Sequence, residues 1–113
     1  GREAGAASGA LFMRVRVFLF LCRAQFSGQS EISYAEEPAL GSEHDCILFV
    51  AQQCDKPDYD DARSRLAKHG WVNAHIKRAG QFQPESVNSQ HWQVFQRNYE
   101  ECLEVGDSIV WYV

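Results

Sequence analysis

Between residues 44 and 61 the chain gathers histidine, cysteine and aspartate, and three chemistries could be built from them. His44-x-Cys46 with Cys54 offers soft ligands for zinc. Tetrahedral zinc needs a fourth ligand, and no Cys-x-x-Cys pair supplies one. Cys46 also opens the run Cys46-Ile47-Leu48-Phe49-Val50-Ala51, which reads as a buried strand. Glu43, His44 and Asp45 are more simply a polar approach to that strand. Asp55, Asp58, Asp60 and Asp61 form a tight carboxylate cluster. A calcium loop needs a different spacing and a glycine at its sixth position, and helix capping accounts for three of the four. Cys46 or Cys54 beside His44 or His75 would make a thiolate nucleophile. Any chain with four Cys and four His offers such pairings. No phosphate loop, dinucleotide fingerprint, nucleophile elbow or zinc-protease motif occurs. The residues assign no metal and no cofactor, and they leave catalysis without a motif to carry it.

Charge is more informative. Residues 31–61 hold nine acidic side chains and one basic, whereas residues 62–99 hold six basic and one acidic. The net charge of -4 speaks against binding nucleic acid through its phosphates. Glu100, Glu101 and Glu104 fall in the last turns of a helix, and Asp107 follows its end. Carboxylates there oppose the helix dipole, at roughly 0.3–1 kcal/mol each when exposed. An earlier helix, near residues 58–69, obeys the dipole throughout. Such a violation marks a compensated or a functional site. Compensation would come from Arg14, Arg16 or Arg23; function would be an acidic patch facing a partner.

These residues must be positioned by a single domain. The 113-residue chain is 45% hydrophobic, enough for one core without metal or disulfide. Residues 1–12 lack a core-forming pattern and read as a flexible leader or tag remnant, with Met13 a candidate start and the domain spanning 13–113. The apolar run Val17–Cys22 is too short for a signal core or a membrane span, so no membrane association is expected. Cys22, Cys46, Cys54 and Cys102 lack paired spacing. They read as reduced thiols in a cytoplasmic setting.

The pattern predicts the order β-β-β-α-β-α-β. Strands are expected at Arg14–Cys22, Glu31–Ala35, Cys46–Ala51, Trp71–Arg78 and Asp107–Val113, the first two forming a hairpin across Ser27–Ser30. The first helix spans Asp58–His69, with Asp58 as cap and Tyr59, Ala62, Leu66 and His69 on one face. The second spans Asn88–Val105, with the stripe Trp92, Phe95, Tyr99, Cys102 and Leu103. The fold class is α+β: one mixed sheet of about five strands with two packed helices.

Three functional classes follow. The first is a non-catalytic protein-binding module, comparable in size and charge to inhibitor, antitoxin or immunity proteins, that meets a basic protein through Glu100, Glu101, Glu104 and Asp107. The second is a small-molecule-binding domain with a pocket lined by Trp71, Trp92, Trp111 and Tyr112. The third is an enzyme without a recognisable motif.

Overall fold

The computed structural model describes residues 15–83, 85 and 89–113. Residues 1–12, expected as a leader, and Arg14 lie outside them. The elements are β1 (Arg16–Phe26), β2 (Glu43–Gln52), α1 (Tyr59–Lys68), β3 (Trp71–Gln81), α2 (Ser89–Val105) and β4 (Asp107–Trp111). The fold is α+β, with one four-stranded antiparallel sheet in the order β3-β1-β2-β4.

The sheet has four strands rather than about five, and none of its neighbours is parallel. Glu31–Ala35 is not a strand. Its backbone is tied elsewhere, through Glu31 N donating to Lys68 O at 2.8 Å and the Tyr34 hydroxyl donating to His69 O at 2.6 Å. β1 therefore pairs with β2 across a longer connection. Because β2 and β3 are both antiparallel to β1, they run parallel to each other on either side of it, and α1 crosses between them.

Alternation decides which residues meet which helix. Phe18, Phe20, Cys22, Ala24 and Phe26 of β1 join Cys46, Leu48 and Val50 of β2 beneath Ala62 and Leu66 of α1. Val17 of β1 and Phe49 of β2 point the other way, to Cys102, Phe95 and Tyr99 of α2. The helices thus cover opposite faces. This explains why the central strands are apolar on both sides.

Both helix ends follow local rules. Asp58 Oδ1 accepts from Asp61 N at 3.0 Å, and Gly70 (φ 97°) ends α1. Gly106 (φ 104°) ends α2. Leu103, expected on the buried stripe, is 50% exposed; among the described residues α2 turns Phe95, Tyr99 and Cys102 to the sheet. The side chain of Trp92 lies outside the described residues. β3 runs to Gln81, three residues past the expected end at Arg78.

The two sheet edges differ. β3 has two register shifts against β1, near Lys77 and near Asn73, and Asn73 takes a left-handed φ of 53°. It exposes His75, Lys77 and Arg78. β4 pairs with β2 in unbroken register and carries no charge from Ser108 to Val113.

Candidate functional site

Asp107 begins β4 directly after Gly106 and turns inward. Its side chain is 5% exposed, and Oδ2 accepts from Arg65 Nη1 at 2.8 Å and lies 3.3 Å from Lys68 Nζ. Oδ1 lies 2.9 Å from His69 Nε2. Burial pushes its carboxyl pKa up, but hydrogen bonds from Arg65 and His69 outweigh that and hold it below the usual carboxylate range. The charge expected on a partner surface is thus satisfied by the C-terminal half of α1. His69 is itself buried, and its Nδ1 has no hydrogen-bond partner.

The other three carboxylates stay outside. Glu100 accepts from Gln96 at 3.0 Å, and Glu101 accepts from the Ser108 hydroxyl at 2.6 Å. Glu104 is exposed. Among the described residues none of the three has an ion pair. The arginines of β1 are engaged elsewhere: Arg23 lies 3.4 Å from Asp45 and 3.8 Å from Glu43, and Arg16 donates to Gln53 O at 2.7 Å. Arg14 lies outside the described residues.

Beside these carboxylates runs β4, the edge strand of the sheet, which among the described residues pairs with β2 alone. Three clefts of about 260, 470 and 490 Å³ share Ile109. Segment 32–36 walls the two smaller ones on one side of the sheet edge, and Arg97, Asn98 and Glu101 of α2 contribute from the other.

Of the four aromatic residues expected to line a pocket, Trp71 and Trp111 lie together and Tyr112 lies apart from them, while the side chain of Trp92 is outside the described residues. Trp71 is buried in the core under α1, with Trp111 beside it at 6.4 Å between ring centroids. Trp71 Nε1 donates to the Tyr34 hydroxyl at 3.1 Å. Tyr112 lines a separate cleft of about 390 Å³ with Leu21, Ile47 and the Asp45–Lys77 pair. Lys77 and Arg23 hold the Asp45 carboxyl below its usual range.

All four cysteines are free thiols, and only Cys54 is exposed. Cys22 and Cys46 stand directly opposite each other on β1 and β2, a juxtaposition set by register and invisible in their spacing. Contact with Cys22, together with burial, pushes the Cys46 thiol pKa up. Burial pushes Cys102 up to about 12. The donors considered for zinc do not converge. His44 is held by Ser42 and the Tyr112 carbonyl, Cys46 is buried, and Cys54 lies in the loop after β2. Among the described residues no group of three or more His, Cys, Asp or Glu is placed to hold a metal ion. No helix among them is long and apolar enough to cross a membrane.

The legible part of this site was its charge. The β4 edge could not be read, because strand order does not follow chain order. The chain matches no protein-family model, no curated protein and no solved structure.

Proposed function

We propose that this chain is a protein-binding module that engages a basic partner through Glu100, Glu101 and Glu104. One contrast supports the reading. Of the four carboxylates at the end of α2, Asp107 is neutralised inside the fold, while the other three remain on the surface without a cationic partner among the described residues. Each of the three works against the helix dipole, a small stability cost that no ion pair among the described residues offsets. Rim carboxylates of this kind steer association and make it salt-dependent.

The double variant E100Q/E104Q tests this. Its stability should hold level or rise by a few tenths to about 1 kcal/mol, since dipole repulsion is relieved. A basic protein retained from native extract by the immobilised wild type at low salt should be lost at high salt and lost by the variant. A variant destabilised at low salt but not at high salt would instead place the carboxylates in an internal ion-pair network and overturn the reading.

A further inference from the structure

We propose that the open edge of β4 binds an extended peptide as a fifth strand, and that this peptide alternates basic and apolar residues. The proposal rests on the protein-binding reading and specifies the partner's form.

The edge is available. Ala51 N donates to Gly106 O, and Tyr112 N donates to Asp45 O, each at 2.9 Å. These bonds bracket the β2–β4 ladder and fix its phase, so residues 106, 108, 110 and 112 bond to β2. The backbone groups of Asp107, Ile109 and Trp111 therefore point away from the sheet. Among the described residues only the Ile109 carbonyl is touched, by Asn98 Nδ2 at 3.4 Å.

The edge is also undefended. Proteins protect free edges with charge, bulges or proline. β3 has two register shifts and exposes Lys77 and Arg78, whereas β4 has neither device. It lies instead between two walls, segment 32–36 and α2. A strand beside a helix is a known architecture for capturing peptides by strand addition.

The walls specify the occupant. An added strand alternates its side chains between the two faces. On the α2 side it meets Glu100, Glu101 and Glu104, with Arg97 the one basic residue lining that cleft. On the other side it meets Ile32, Tyr34, Ile109 and Trp111. Lysine or arginine suits the first, and aliphatic residues suit the second. A second copy of this chain fits poorly, because pairing two β4 edges would bring two sets of carboxylates together.

The probe is a capped peptide of alternating lysine and valine, titrated against the whole protein at low salt. Its control carries N-methyl groups on alternate amides, keeping charge and side chains while blocking one hydrogen-bonding edge. The plain peptide should bind about tenfold or more tightly than the control. It should slow amide exchange at Asp107, Ile109 and Trp111. Ile109→Pro removes an outward N–H without touching the β2 ladder and should weaken binding similarly. If that variant misfolds, the methylated peptide still decides. Failure of the plain peptide to bind, equal binding of the two peptides, protection elsewhere, or pairing of the protein with itself would overturn strand addition. Equal binding that is still lost in E100Q/E104Q would overturn it while leaving the acidic-surface reading intact. Methylation-sensitive binding indifferent to E100Q/E104Q would overturn that reading and the basic character of the peptide.

Discussion

Arg65 and Asp107 meet at 2.8 Å across forty-two residues, joining α1 to the first residue of β4. The contact lies where the two helices' chain ends converge, and Asp61 grips the same guanidinium at 2.8 Å. Asp107→Asn leaves Arg65 and Lys68 short of a counter-charge at a carboxylate site that is almost fully buried. Both cations retain contact with water, so the expected cost is about 1–3 kcal/mol rather than the larger loss of a fully buried pair. The pH dependence has a defined sign. A carboxyl whose pKa is lowered by folding adds stability above its unfolded value, roughly 3.9, and loses it as pH falls through the lower folded value. Wild type and variant should therefore differ at neutral pH and converge in acid, as read by denaturant melts at several pH values.

Tyr34 anchors the connection between β1 and β2 by donating to His69 O and accepting from Trp71 Nε1. Tyr34→Phe should cost about 1–2 kcal/mol, because it strands the indole donor of buried Trp71. Amide exchange in residues 31–36 should rise more than exchange in β1. Uniform acceleration throughout the sheet would show that the segment has no local role.

Thiol labelling separates surface from core. Native protein should react promptly at Cys54 alone, with Cys22, Cys46 and Cys102 reacting only on unfolding. Denatured protein should titrate four thiols without added reductant. Rapid native labelling at Cys22 or Cys46 would mean the sheet opens beneath α1.

The buried side of α2 can be checked by two truncations. Phe95 is half-buried and packs on Phe49, with ring centroids 5.9 Å apart, whereas half of Leu103 is exposed. Phe95→Ala should cost about 2–4 kcal/mol and Leu103→Ala less than about 1 kcal/mol. Reversed values in denaturant melts would rotate the helix.

Elements built on local signals were readable from the sequence. Asp58 caps α1, glycines end both helices, and Trp71–Arg78 alternates as a half-buried strand should. Glu31–Ala35 misled because its alternation is short, and Tyr34 finds better partners in His69 and Trp71 than a strand ladder would give. Leu103 misled because helical spacing defines a stripe more widely than the sheet can cover. What depended on strand order stayed hidden: the opposed helices, the facing Cys22 and Cys46, and the β4 edge. Asp107 shows the same limit. Its charge was legible, but Arg65 and Lys68 of α1 and the capping His69, which absorb it, were not.

Burial on both faces creates a problem of alignment that the Arg23–Asp45 contact resolves. A strand with one wet face rejects a one-residue slip, because the slip would turn its apolar side to water. β1 between Val17 and Cys22 has no such safeguard, since apolar side chains point both ways. Slipped pairings with β2 would still match oil to oil. Arg23 sits opposite Asp45, just past this run, with Glu43 also in reach. As an exposed ion pair it adds at most about 1 kcal/mol to the finished fold. In a slipped pairing, one member would turn toward the α1 core and bury its charge, a far larger penalty. The pair therefore acts against wrong alignments more than for the right one.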